Sequence, residues 1–174
     1  MFTNKTFLIT GIADENSLAM KVAEKIIQNN GKVVCTGLGV TPFHKNLSEK
    51  AASFLNKSYG DFETACKNKL GADTLTFPLD VTLPESLDSL VEFLNQNNVK
   101  LDGFLHAIAM DKTIRNKSVK PMLEVTAEEF NDTMTVSAFS LISLSHVLLM
   151  SHILQKGASI VPLSYIAAEK VSFF

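Results

Sequence analysis

The chain has no tryptophan, two cysteines and five prolines in 174 residues. Cys35 and Cys66 form no C-x-x-C pair and no disulfide framework. Cys35 lies inside an apolar run and reads as a small core residue. A reduced, cytoplasmic setting fits both. Charge of one sign is also missing: 16 Lys and Arg stand against 18 Asp and Glu, a net charge of −2. That balance gives no reason to expect nucleic acid or an anionic membrane as partner. The apolar run before Gly11 is too short for a signal peptide. The most apolar long segment, Ala138 to Leu154, is interrupted by Ser140, Ser143, Ser145, His146, Ser151 and His152. It is expected to fall short of a membrane span and to form a buried or interface helix. His44, His146 and His152 lack companions at metal-ligand spacing, so no metal is expected.

Apolar residues make up 46% of the chain, enough for a buried core in one domain. No repeat or low-complexity tract interrupts it. Strand-length apolar runs alternate with helical patterns. Strands are expected at Thr6–Thr10, Lys32–Thr36, Asp73–Leu79, Leu101–Ala109 and Ala158–Ser164. Helices are expected at Ser17–Asn30, closed by Gly31, at Glu85–Asn97, and at Thr126–Leu154 with a break. Such alternation implies parallel pairing through right-handed crossovers. The fold class is α/β: a Rossmann-like doubly wound parallel sheet of order 3-2-1-4-5, spanning 1–174. A ligand crevice is expected where strands 1 and 4 diverge at their carboxyl ends. Residues 37–72 exceed the needs of one crossover helix. They read as an insertion at the crevice rim, with short helices at Asn46–Leu55 and Asp61–Leu70.

Three strand ends carry candidate chemistry. The first runs Thr10-Gly11-Ile12-Ala13 into a helix starting near Ser17-Leu18-Ala19. Free N–H groups at that helix start can meet a phosphate, and small residues allow close backbone approach. Ser17 can cap the helix and donate to a phosphate oxygen. The G-x-G-x-x-G fingerprint is absent, and an ordinary strand–turn–helix with a serine cap fits the same residues. After the third strand, Asp80-Val81 offers a carboxylate to an adenine amino group and a side chain to flank the ring. Taken on their own, those residues favour a helix-capping aspartate in a surface turn. The fourth strand ends His106-Ala107-Ile108-Ala109, small enough to touch a ribose or nicotinamide. His106 itself reads as a hydrogen-bonded core histidine. Tyr165, just past the fifth strand, can reach a substrate carbonyl or sit as an amphipathic tyrosine at the sheet rim. Glu169, not a lysine, stands four residues after it.

Together these segments resemble the enoyl-acyl-carrier-protein reductases of the short-chain dehydrogenase/reductase superfamily. The family's T-G-x-x-x-x-x-S-[IL]-A is matched by Thr10-Gly11 through Ser17-Leu18-Ala19. Its D-V is matched by Asp80-Val81, and its D-G-x-x-H-[SA]-I-[GA] by Asp102 to Ala109. Its S-x-[YF]-S is matched by Ser137 to Ser140, and its L-[ST]-Y-[LI]-[GA]-A-E-[KR] by Leu163 to Lys170. The resemblance implies hydride reduction of the trans-2 double bond of an enoyl thioester on acyl-carrier protein, in fatty-acid synthesis. It implies a homo-oligomer, and a cofactor site of Gly11, Ile12, Ala13, Ser17, Leu18, Asp80, Val81, Ala107, Ile108, Ala109 and Leu163. By position Tyr165 matches an additional tyrosine of the family's site. The main Tyr-x6-Lys pair would fall beyond Phe174.

The resemblance favours NADH. The second strand closes Val34-Cys35-Thr36-Gly37 without the acidic residue that binds ribose hydroxyls, and His44 and Lys45 stand within reach of a 2′-phosphate, which leaves NADP open. Two other functions remain open at this level. One is a non-catalytic nucleotide-binding module, and the other a short-chain reductase with another substrate.

Overall fold

The computed structural model describes residues 1–115, 118–165 and Glu169. In chain order they form β1 (Thr6–Ile9), α1 (Leu18–Gln28), β2 (Lys32–Gly37), α2 (Glu49–Leu70), β3 (Leu75–Pro78), α3 (Pro84–Gln96) and β4 (Leu101–His106). A two-residue antiparallel hairpin follows, Ile114–Arg115 with Ser118–Val119. Then come α4 (Ala127–Met134), a π-helical turn (Thr135–Phe139), α5 (Ser140–Met150) and β5 (Leu154–Pro162). The five long strands are parallel in the order β3-β2-β1-β4-β5. This is the expected doubly wound sheet, reversing between β1 and β4.

Side chains alternate across the strands and feed two cores. On one face Leu8, Val34 and Phe104 pack with Leu87, Leu90 and Leu94 of α3 and Leu144 and Leu148 of α5. On the other, Ile9, Cys35 and Leu105 pack with Met20, Ala23 and Ile26 of α1 and Phe62 and Cys66 of α2. Strands apolar on both faces are what a sheet covered on both sides requires.

Helices α1, α3 and α5 leave toward the next strand by one device. Asn30, Asn98 and His152 take positive φ of 63°, 54° and 56°. The following amide returns to the last turn, Gly31 N to Ile26 O, Val99 N to Leu94 O and Ile153 N to Leu148 O, at 3.0, 2.8 and 3.0 Å. These bonds close Schellman-type ends. The expected cap glycine, Gly31, is thus one residue past the left-handed position, which Asn30 fills. Gly31 is small because a Cβ there would come within 2.9 Å of Phe2 and 2.5 Å of Ile26.

Three expectations are corrected. Residues 49–70 form one helix, not two, and Gly60 lies inside it with open space around it. A buried stripe of Leu55, Phe62, Ala65 and Cys66 holds the helix together, outweighing the ~1 kcal/mol cost of an interior glycine. The last helix stops at Met150, and Leu154 opens a strand instead of closing that helix. β5 therefore starts before Ala158, but its first half is irregular: Leu154 pairs with Leu101, while the ladder resumes only at Ser159 against Gly103. Gly157, at φ 84°, turns the chain within that bulge.

The helical run 127–150 is also long and apolar enough to cross a bilayer by length and composition alone, contrary to the sequence expectation. Here Ser140, Leu144 and Leu148 instead bury one side of it against the sheet. Its other side leaves Phe130, Phe139 and Ile142 at 58%, 57% and 62% exposure. No strand pairs with the outer edge of β5 among the described residues. An open edge beside an apolar helix face is an association hazard. Residues 1–174 expressed alone are expected to self-associate, read as a light-scattering mass above that of one chain. A monodisperse, cooperatively melting monomer would contradict this.

Candidate functional site

A cleft of about 630 Å³ opens at the carboxyl ends of β1, β2, β3 and β4. Its position follows from topology, since neighbouring connections leave on opposite faces where the strand order reverses. Gly11, Ile12, Ala13, Asp80, Val81, Ala107, Ile108 and Ala109 all line it. Three segments up to 98 residues apart in sequence thus meet in one wall. Ser17, Leu18, Leu163 and Tyr165 lie outside that wall.

The floor is set by Gly11. Its φ is 75°, and a Cβ built there would stand 2.0 Å from the Ala107 carbonyl oxygen. Only glycine lets the β1 turn lie against the end of β4. Thr10, fully buried, stitches the same junction. Its hydroxyl donates to the Leu105 carbonyl at 2.9 Å and accepts from the Ala107 amide at 3.3 Å.

The turn after Gly11 is closed by its own side chains. Asp14 Oδ1 accepts from the Asn16 amide at 2.8 Å. Ser17 caps α1, accepting from the Met20 amide at 3.3 Å. Its hydroxyl proton goes to the Asp14 carbonyl at 2.9 Å, so donation to a phosphate requires that bond to turn away.

Asp80 is more occupied than the sequence suggests. Oδ1 accepts from the Thr82 amide and hydroxyl at 2.9 and 2.6 Å. Oδ2 lies 3.0 Å from His44 Nε2. Asp80 does not cap α3, whose N-cap Leu83 receives no side-chain bond; it closes the turn on Thr82 and lines the cleft. His44 is turned to this carboxylate, and Lys45 is exposed outside the cleft wall, so the pair expected to reach a 2′-phosphate does not line the cleft.

The far wall comes from the π turn, which the sequence did not reveal. Thr135 and Val136 line the cleft there, as do Met110, Lys112 and Asp132. Lys112 and Asp132 form an ion pair in this wall. Ser137 grips the chain after β4 at both ends of one residue, accepting from the Met110 amide and donating to its carbonyl, each at 3.0 Å. The Ser140 amide reaches back to Thr135, leaving the Val136 carbonyl to the Ser140 hydroxyl at 2.6 Å. That hydroxyl in turn meets His106 Nε2 at 2.7 Å. Since its proton is given to Val136, His106 donates to it from Nε2. His106 is thus a hydrogen-bonded core histidine, 2% exposed. From α2, Leu55 and Ser58 complete the wall with Thr36, Gly37 and Leu38. An S-x-x-S spacing was the one visible signal for the π-turn contacts; nothing local marked Leu55, Ser58 or Lys112.

Burial pushes His106 below the ordinary imidazole value of 6.5, and a hydrogen bond to its own backbone acts weakly the other way. The unfolded histidine therefore binds protons more readily than the folded one. Its contribution to stability is complete above about pH 6.5 and is lost as pH falls from there toward the lower folded value. Thermal melts between pH 8 and 5 should show Tm falling on the acid side of 6.5. His106→Asn, which does not titrate, should flatten that part of the curve while lowering Tm throughout. An unchanged acid limb in the variant would rule His106 out as its source.

A profile of the family described as Enoyl-(Acyl carrier protein) reductase matches residues 55–173. Among curated relatives, the enoyl-[acyl-carrier-protein] reductase [NADH] FabI of Aquifex aeolicus is 31% identical over 98% of this chain and 56% of its own length. That of Rickettsia bellii is 27% identical over 98% and 57%. The crystal structure of the Aquifex aeolicus enzyme superposes with a TM-score of 0.78 at 28% identity, covering 98% of this chain and 59% of that one. The Anaplasma phagocytophilum reductase, solved in complex with NAD, gives 0.76 at 25% identity, covering 98% and 57%. This chain spans a little over half the length of these relatives. It belongs to the enoyl-(acyl carrier protein) reductase family.

Proposed function

We propose that this chain binds NADH in the cleft and serves the reduction of the trans-2 double bond of an enoyl thioester carried on acyl-carrier protein, in fatty-acid synthesis. The observation that carries this is the meeting of Gly11–Ala13, Asp80–Val81 and Ala107–Ala109 in one cleft. The relatives named as NADH-dependent and the relative solved with NAD support it.

The residues present suit an extended dinucleotide. Small side chains at Ala13, Ala107 and Ala109 keep the central wall low. Leu38, Leu55 and Val81 add apolar side chains to the lining on the side of β2, α2 and β3. Ser58 and the β2 end carry no acid, and no lysine from the β2–α2 loop enters the wall. We assign NADH over NADPH on the relatives named as NADH-dependent. When bound, the nicotinamide supplies the hydride; this chain's part is to hold the dinucleotide extended and to shut water from its reactive end. Ser17, Leu18 and Leu163 are assigned supporting positions around the phosphates and ribose, outside the cleft wall proper.

Ala13 lines the cleft and is exposed within it. Ala13→Trp should abolish NADH binding in a calorimetric titration while leaving the circular dichroism spectrum unchanged. Unchanged affinity would overturn the site.

Tyr165 stands 61% exposed past β5. We assign its hydroxyl to the thioester carbonyl oxygen, where negative charge develops during reduction. In a preparation of the gene product that reduces a crotonyl thioester, Tyr165→Phe should cut kcat by about tenfold or more with little shift in Tm. Lost stability with normal kcat would return Tyr165 to a rim-packing role. NADH binding with no turnover in any preparation would instead favour a nucleotide-binding module. The exposed face of α4 and α5 is assigned to a second copy of the chain, and the protein to the cytoplasm.

A further inference from the structure

Resting on the NADH reading, we propose that His44 is a positioning residue for the purine end of the cleft. It orients the Asp80 carboxylate and leaves it one acceptor site for one ligand donor, the exocyclic amino group of adenine.

A carboxylate offers about four lone-pair sites. On Asp80, Thr82 fills both sites of Oδ1 through its amide and its hydroxyl. His44 Nε2 takes one site of Oδ2 at 3.0 Å. One site remains, on Oδ2, and Asp80 lines the cleft.

The imidazole is itself held. The Thr41 amide donates to His44 Nδ1 at 2.9 Å, and the Thr41 hydroxyl lies 3.2 Å from the same atom. A nitrogen that accepts an amide proton carries none of its own, so the N–H sits on Nε2 and donates to Asp80. Thr41 is 4% exposed, which anchors this relay to the buried part of the loop between β2 and α2. The His44 and Asp80 side chains are only 11% and 17% exposed, so water has little room to replace either partner. The contact ties that loop, which also supplies Leu38 to the cleft, to the turn after β3.

A merely structural latch would weaken every nucleotide alike. A positioning residue changes the distinction between adenine and a base lacking the amino group. The test is fluorescence titration of the purified gene product with NADH and with reduced nicotinamide hypoxanthine dinucleotide, whose ring bears a carbonyl there. The wild-type chain should prefer NADH by roughly ten- to hundredfold, the scale of one hydrogen bond to a charged acceptor. His44→Ala should bring that ratio close to one. His44→Gln, whose side-chain amide can donate from the position of Nε2, should restore most of it, and His44→Asn, whose amide ends at the position of Nδ1, should not. If the alanine variant does not fold, the glutamine and asparagine variants decide. Equal ratios in those two overturn the proposal, as does an alanine variant that weakens both nucleotides and keeps the wild-type ratio. A wild-type ratio of one removes the Asp80 contact while leaving NADH binding intact. No binding of either nucleotide by the wild-type chain overturns the NADH reading, and the role of His44 with it.

Discussion

The contact between the Gly11 backbone and the Ala107 carbonyl is the constraint on which the cleft depends. It exists because two neighbouring parallel strands end at the same level and send their chains to opposite faces. The β1 turn must cross the end of β4 with no side chain between them, and a Cβ at Gly11 has no place to go. Thr10 fixes the height of that crossing through bonds to Leu105 and Ala107. Once this junction is set, Ile12 and Ala13 on one side and Ile108 and Ala109 on the other become walls of one groove. The glycine thus acts first on packing of protein against protein, and only through that on the space offered to a ligand.

Around this fixed floor, the walls are held by contacts of a different kind. The Asp80 side of the cleft is closed by a relay from buried Thr41 through His44 to Asp80. The opposite end is tied down by Ser137 to Met110, by Ser140 to His106, and by Lys112 to Asp132. The bonds of His44, Ser137 and Ser140 are partly or wholly shielded from water, so removing one partner leaves the other unsatisfied, a cost of about 1–3 kcal/mol, whereas the more exposed Lys112–Asp132 pair contributes little. Apolar burial holds the two layers of helices on the sheet, and polar bonds set the outline of the groove between them.

This division explains what the sequence made legible. The strand order, the two-sided core and the three strand-end segments could all be read, because each is written in local pattern: an apolar run, a small residue at its end, a helix after it. His106 was readable as a core histidine for the same reason. Leu55 and Ser58 were not, since they reach the cleft only because α2 continues through Gly60, and that continuity depends on Phe62 and Cys66 finding the sheet. The partnership of His44 with Asp80 spans 36 residues and leaves no periodic trace. The start of β5 was hidden by the bulge at Gly157, where pairing with β4 skips from Leu154 to Ser159. Asn30 took the left-handed position expected of Gly31 because asparagine tolerates that φ at little cost and the glycine was needed for its size.

The π turn is where fold and site are most closely joined. A regular helix through 135–139 would pair the Ser140 amide with Val136, and the Ser140 hydroxyl would have to share that carbonyl, as the Ser145 hydroxyl does with the Leu141 carbonyl in α5. The wider turn sends the amide to Thr135 instead and frees the Val136 carbonyl. The Ser140 hydroxyl then takes that carbonyl, which fixes its proton and makes it an acceptor for His106. A serine three residues earlier uses the same departure to hold Met110 by both its amide and its carbonyl. The irregular turn is therefore stabilised by the residues it positions, and those residues hold the end of β4 against the cleft. A change that straightened this helix would be felt at Ala107–Met110 before it was felt in the core, because Leu144 and Leu148 lie one and two turns further along and keep their own contacts with the sheet.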